Sequence, residues 1–139
     1  MPRGLGLDRK GKIVFLCLVL AQAAHSWEEY HNRLYEVFAP ARAVSILASD
    51  DPALGFLVVN VLLVLFALWC WLFPIGRNWP NATGFVWFWA ILETANGLGH
   101  LGLAVSRHGY FPGLATAPLL LLFAGWAAFL QMRPVREAG

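Results

Sequence analysis

The chain has 139 residues, of which 59% are hydrophobic and only 13% charged, and its net charge is +2. Soluble domains carry about 25% charged residues, and disordered chains lack apolar residues, so this composition excludes disorder and favours a membrane protein. The small charge and the lack of a basic stripe argue against nucleic acid as a partner. Because Cys17 and Cys70 lie inside apolar runs, a disulfide framework is excluded as well.

Four apolar runs predict four membrane-spanning helices. The first begins at Ile13 and passes into a polar, helix-compatible stretch after Ala24, and the others cover 53–73, 84–105 and 114–130. Each approaches the ~20 residues that cross a bilayer core of ~30 Å, and none alternates as barrel strands do. Pro52 and Pro74 fit the start and the end of the second helix. We expect 37–51 to form an interfacial helix or loop.

The positive charges predict the orientation. Seven Lys and Arg fall on one side of the four helices and three on the other. The seven are Arg3, Arg9, Lys10, Lys12, Arg77, Arg133 and Arg136, and the three are Arg33, Arg42 and Arg107. The positive-inside rule then places both termini in the cytoplasm. We therefore expect an all-α, multi-pass integral membrane four-helix bundle in the cell membrane. Its parts are a basic cytoplasmic tail (1–12), a single four-transmembrane-helix domain (13–131) and a second cytoplasmic tail (132–139).

A signal peptide is the alternative interpretation of the N-terminal segment. A basic tail, an apolar run and Ala21-Gln22-Ala23 resemble a leader with its cleavage site. Cleavage there would separate the polar residues that follow from their helix, so an uncleaved helix is favoured.

Polar residues interrupt the first and third apolar runs at helical spacing. On the first helix they are Gln22, His25, Glu28, Glu29 and Asn32, and on the third Glu93, Asn96 and His100. Within each helix these spacings of three, four and seven residues place the side chains on one face. At 1.5 Å per residue, His25 and Asn96 both lie about 18 Å from the cytoplasmic starts of their runs. If the two helices are neighbours, their polar faces form one site in the outer half of the bilayer.

A functional role is favoured for this cluster. An intramembrane charge costs at least about 2.5 kcal/mol, and six polar groups on two matching faces exceed what helix-to-helix hydrogen bonding needs. The candidate catalytic residues are His25, Glu28, Glu29, Glu93, Asn96, His100 and, from the following turn, Tyr110. If a metal is bound, the ligands would be His25, Glu29, Glu93 and His100. The cofactor stays open between none and zinc or iron.

These residues predict a membrane enzyme that acts on a lipid-soluble substrate by His/Glu acid–base chemistry, such as isomerisation or cyclisation. One alternative is a metal-dependent membrane hydrolase or oxidase that uses the same cluster. Another is a small proton-coupled transporter. The polar residues are confined to the outer half of the bilayer, whereas a transporter needs a path to both faces. A structural subunit is a further alternative. The expected partners are membrane lipids and a hydrophobic small molecule, with a homodimer left open.

Three short motifs carry a family resemblance. Residues 25–29 have the form His-x-x-Glu-Glu, residues 96–100 the form Asn-x-x-x-His, and residues 110–113 the form Tyr-x-Pro-Gly. Together they resemble the HXXEE-domain family of small bacterial integral membrane proteins. The resemblance implies a membrane protein whose polar motifs form its site and suggest an enzyme, without indicating the reaction.

Overall fold

A computed structural model describes residues 7–133, and this part of the chain is all-helical, which confirms the predicted all-α class. The helices are α1 (Arg9–His31), α2 (Leu34–Val37), α3 (Ala39–Ala48), α4 (Pro52–Cys70) with a π-helical turn (Trp71–Ile75), α5 (Ala82–Ser106) and α6 (Ala117–Met132). Arg3 and Arg136, which contribute to the predicted orientation, lie outside the described residues.

Helix α1 begins earlier than the apolar run predicts. The Asp8 carboxylate caps it by accepting a hydrogen bond of 2.7 Å from the Gly11 amide, so the helix begins at Arg9. An N-cap of this type satisfies amide groups that have no partner within the helix. Residues 9–12, which the sequence pattern assigns to the tail, therefore form the first turn of α1.

The second apolar run also ends differently. Asp51 caps α4 and Pro52 is its first residue, as the start signals predict. The prediction that the helix ends before Pro74 was wrong, since Pro74 lies inside the π-helical turn. A wider turn of this kind accommodates a residue that has no amide hydrogen to donate.

The segment that was expected to form an interfacial helix or loop contains α3, which packs on α4. The contact depends on Gly55, where an added Cβ would overlap the backbone carbonyl of Ser45. The other side of α3 exposes Val44, Ile46 and Leu47. The helix therefore has one close-packed side and one apolar side without a partner among the described residues.

Two apolar clusters lie on either side of the polar residues along the helices. The first joins the N-terminal half of α1 to the π-helical turn, α5 and α6, and includes Phe15, Cys70 and Trp89. The second includes Tyr35, Phe56 and Phe111. Helix α6 packs against both α1 and α5, and α4 packs against α1. The polar side chains of α1 and α5 lie between these two apolar clusters.

Within residues 7–133, one helical stretch is long and apolar enough to cross a membrane by length and composition. It is Pro52–Ile75, with 24 residues. Helix α6 is apolar but has only 16 residues, and α1 and α5 carry the polar cluster inside their apolar sequence.

Candidate functional site

Two imidazoles and one carboxylate meet between α1 and α5. His25 and Glu29 are one turn apart on α1, and His100 comes from α5. Glu29 Oε1 lies 2.9 Å from His100 Nε2 and 3.3 Å from His25 Nε2. The two imidazole rings are nearly perpendicular, with centroids 4.6 Å apart. All three residues are buried. We call them the His–Glu triad.

The orientation of His100 is fixed by a backbone carbonyl. His100 Nδ1 lies 2.6 Å from the carbonyl oxygen of Pro112, in the turn between α5 and α6. A carbonyl only accepts hydrogen bonds, so Nδ1 carries the hydrogen. Nε2 of the neutral imidazole is then an acceptor directed at Glu29.

The orientation of His25 follows from a chain of two hydrogen bonds. The hydroxyl of Thr116 lies 2.5 Å from Glu28 Oε2 and 2.7 Å from His25 Nδ1. Its single hydrogen goes to the Glu28 carboxylate, so its oxygen accepts the hydrogen of His25 Nδ1. Nε2 of a neutral His25 is therefore an acceptor as well.

One atom of the triad has no hydrogen-bond partner among the described residues. It is His25 Nε2, which makes no hydrogen bond to any described residue although Glu29 Oε1 is within ion-pair distance. A buried polar atom without a partner costs about 1–3 kcal/mol. Such atoms are rare in folded proteins and call for an explanation. A lone pair held in this way can accept a proton or bind an electrophile.

The turn between α5 and α6 covers the two imidazoles. Gly113 has a φ of 95° and lies against both rings. An added Cβ there would come within 2.5 Å of His100 Nδ1 and 2.8 Å of His25 Cε1. Both the backbone conformation and the available space require glycine. The Tyr-x-Pro-Gly motif thus supplies the carbonyl that orients His100 and the glycine that fits over the triad.

We expect Gly113→Ala to destabilise the protein, because the substitution adds backbone strain of about 1–3 kcal/mol and a clash with the imidazoles. Thermal unfolding in detergent measures the effect. Gly99→Ala is the matched control, since an added Cβ at Gly99 meets nothing within 4 Å. An unchanged melting temperature in Gly113→Ala would contradict the described turn.

Glu28 lies outside the triad and holds the start of α6. Its two carboxylate oxygens accept hydrogen bonds from the amides of Ala115 (3.0 Å) and Thr116 (2.8 Å), from the Thr116 hydroxyl and from the Tyr110 hydroxyl (2.5 Å). Lost solvation, followed by the hydrogen bond to Glu28 and the charge of that carboxylate, raises the pKa of Tyr110 to about 12. Tyr110 therefore remains a hydrogen-bond donor at physiological pH, and both residues connect the turn to α1.

Glu93 is fully buried and belongs to a second polar group. The side-chain oxygen of Gln22 lies 2.7 Å from a Glu93 carboxyl oxygen, so a hydrogen must lie between them unless the Gln22 amide is turned. The Ser26 hydroxyl donates to the Asn60 oxygen at 2.7 Å, and the Asn60 amide donates to the Phe56 carbonyl. Ser26 therefore accepts from the Gln22 nitrogen, at 3.0 Å.

This order of donors places a proton on Glu93. Turning the Gln22 amide would require Ser26 to donate its single hydrogen twice. If the Glu93 carboxyl is neutral and donates to the Gln22 oxygen, every contact in this series of hydrogen bonds contains one hydrogen. Asn96, half-buried, donates to Glu93 Oε2, the same oxygen that contacts Gln22, at 3.4 Å.

The residues predicted from the sequence thus divide into three groups. The triad collects His25, Glu29 and His100, whereas Glu93 and Asn96 lie together, and Glu28 and Tyr110 bind the turn. Of the four suggested metal ligands, Glu93 is the one outside the triad. Thr116 was missed, although a threonine before an apolar run is a helix-start signal. Gln22 was noted only for its spacing.

The fold and the site together define the class of protein. Residues 7–133 are all-helical, and two histidines and one carboxylate meet in the interior. Residues 16–127 match the family described as a protein of unknown function with HXXEE motif. The chain therefore belongs to the HXXEE family, which confirms the resemblance, and the motif supplies His25, Glu28 and Glu29. No curated protein and no solved structure matches the chain.

Proposed function

We propose that the chain is an integral membrane protein whose α1, α4, α5 and α6 form a four-helix bundle. The apolar window of Pro52–Ile75 is only 17% buried, whereas the core helix of a soluble protein is mostly buried. Large apolar side chains are also exposed on α5 and α6, among them Ile91, Val105 and Leu122. Exposed apolar surface of this extent is typical of contact with lipid.

The lengths of the helices support the same proposal. Helix α1 has 23 residues and α5 has 25, which correspond to about 35 and 38 Å and exceed a bilayer core of about 30 Å. Both helices are less apolar than α4 because they carry the buried polar cluster. The excess of Lys and Arg at the two termini and in the 76–81 loop favours cytoplasmic termini.

The orientation can be tested with single cysteines in a variant that carries Cys17→Ser and Cys70→Ser. We expect a membrane-impermeant thiol reagent to label Ser106→Cys in intact cells, and Asn81→Cys only after lysis. Both positions are exposed, at opposite ends of α5. Labelling of Asn81→Cys in intact cells would contradict cytoplasmic termini.

We propose that the protein is a membrane enzyme that moves protons on a lipid-soluble substrate, as in isomerisation or cyclisation. The observation that carries the proposal is the burial of the Glu93 carboxyl and of the His–Glu triad inside the same group of helices. Gln22, which contacts Glu93, is one turn from His25, an axial rise of about 4.5 Å. Glu93 and His25 are thus linked through neighbouring residues of α1, and both are buried away from water.

The reaction needs no external oxidant. In an isomerisation, a base removes a proton from one carbon, the double bond shifts, and an acid returns a proton at another carbon. Glu93 carries both proton transfers: it gives its proton to one carbon and, as the resulting carboxylate, takes one from the other. The triad binds the polar atom of the substrate, and Asn96 orients Glu93. Solvent hydrogen then enters a carbon–hydrogen bond of the product.

A groove between α1 and α4 supports an apolar substrate. It has a volume of about 220 Å³ and opens to the outside of the helices. Trp27, Leu57 and Val64 provide apolar walls, and Ser26 and Asn60 provide its polar end. Those two residues continue the hydrogen-bond chain of Glu93. A molecule that enters from the bilayer would therefore meet the polar cluster at this point.

Incorporation of deuterium tests the proposal with a mixture of lipids in place of a single chosen substrate. The purified protein is incubated in D₂O with a lipid extract from the organism that encodes it, and the lipids are returned to H₂O before mass spectrometry. We expect at least one lipid to gain non-exchangeable deuterium with active protein and not with heat-inactivated protein. The same lipid profile in both samples would contradict proton transfer to lipid.

A further inference from the structure

We propose that the His–Glu triad binds one divalent transition-metal cation, Zn²⁺ or Fe²⁺, through His25 Nε2, the Glu29 carboxylate and His100 Nε2. The inference rests on the proposed function in placing the reaction at these side chains. Metal binding is nevertheless measured without any reaction, so the two proposals can fail separately.

The positions of the ligand atoms fit a single cation. The three atoms lie within 4.8 Å of one another, and all three residues are buried. Zinc or iron bound at about 2.0–2.2 Å separates tetrahedral ligand atoms by about 3.3–3.6 Å. The separations of 2.9 Å and 3.3 Å from Glu29 Oε1 to the two imidazoles are close to this range.

Both histidines are oriented as metal ligands are. A histidine ligand donates its other ring hydrogen to a carbonyl, a carboxylate or a similar acceptor, which fixes its tautomer. His100 donates from Nδ1 to Pro112, and His25 donates from Nδ1 to Thr116, which is itself held by Glu28. Two independent acceptors on the turn before α6 therefore direct both Nε2 atoms to the same point.

A cation also satisfies every atom of the triad. His25 Nε2 makes no hydrogen bond to any described residue. A divalent ion accepts both nitrogen lone pairs and the carboxylate at once. A bound cation would therefore supply His25 Nε2 with the partner that it lacks among the described residues.

The chemistry of the ligands selects the kind of metal. Two imidazoles and one carboxylate suit zinc or iron(II), whereas magnesium and calcium prefer sets of oxygen ligands. The two cysteines lie outside the triad, Cys70 against Trp89. Three protein ligands leave a coordination position free, as in catalytic sites. The metal would polarise an oxygen of the lipid-soluble substrate next to Glu93.

Metal analysis of the whole protein tests the inference. The wild type, purified with a tag that contains no histidine, is measured by mass spectrometry of its metals. It is then stripped with a chelator and titrated with Zn²⁺ and, separately, with Fe²⁺ under anaerobic conditions. We expect close to one equivalent of one of these ions per chain, and at least a tenfold loss of affinity in His25→Ala, His100→Ala and Glu29→Gln.

Two exposed histidines provide matched controls. His31 and His108 lie outside the triad, so His31→Ala and His108→Ala should retain the metal. Circular dichroism identifies any variant that fails to fold, and the wild-type titration does not depend on the variants. A folded wild type that binds neither ion, or triad variants that bind as tightly as the wild type, would overturn the inference. Bound metal without deuterated lipid would contradict the proposed function alone, and deuterated lipid without metal would contradict this inference alone.

Discussion

Replacing Glu93 by glutamine is expected to slow turnover by about 10²–10⁴-fold, the usual contribution of a general acid or base. Glutamine keeps the shape of the side chain, and its amide can donate to the Gln22 oxygen as the neutral carboxyl does. It has no proton that can be transferred at neutral pH. The substitution therefore removes the chemistry and leaves the contact.

The rate of deuterium incorporation into lipid measures this effect, and thermal unfolding shows whether the fold is kept. Side-chain hydrogen bonds within membranes average only about 0.6 kcal/mol, so the stability of Glu93→Gln should stay close to that of the wild type. Glu36→Gln, an exposed glutamate on α2, is the control for charge removal. A wild-type rate in Glu93→Gln would mean that Glu93 only connects helices.

Glu28→Ala is expected to lower the free energy of unfolding by about 2–5 kcal/mol. The carboxylate accepts four hydrogen bonds from the turn and the start of α6, and bonds to a charged group contribute about 1.5–3 kcal/mol each. Water replaces part of this at a half-buried position, which limits the loss. The substitution also frees Thr116, so the orientation of His25 is weakened.

Equilibrium unfolding in mixed micelles measures the loss, with Glu36→Ala as the control. Glu36 forms one exposed ion pair with Arg33, at 3.3 Å, and such pairs contribute about 0–1 kcal/mol. If Glu28→Ala were as stable as Glu36→Ala but inactive, Glu28 would belong to the reacting groups and the structural role would be wrong.

Helical spacing was enough to predict which residues of α1 and α5 share a face. His25 and Glu29 are four residues apart, so the geometry of a single helix is enough to bring their side chains next to each other. The spacing could not show that Glu28 and Glu29 differ in role. Neighbouring residues point about 100° apart, and their partners depend on α6, which begins almost 90 residues later in the chain.

The helix boundaries and the hydrogen-bonded chain were harder to predict for a similar reason. The start of α1 depends on a single capping carboxylate at Asp8, which an apolar pattern does not include. The proton on Glu93 follows from the order of donors through Gln22, Ser26 and Asn60, and this order joins three helices, α1, α4 and α5. Sequence spacing gives the faces of single helices, whereas these features depend on contacts between helices.

The central claim is that the buried His–Glu triad is the reactive centre of a membrane enzyme. It is tested most directly by comparing deuterium incorporation in His25→Ala and His31→Ala, two histidines of the same helix. His25 lies in the triad, and His31 is exposed and stacks on Trp27. We predict that His31→Ala labels lipid at the wild-type rate and that His25→Ala, folded by circular dichroism, does not. Equal labelling by both variants would contradict the claim.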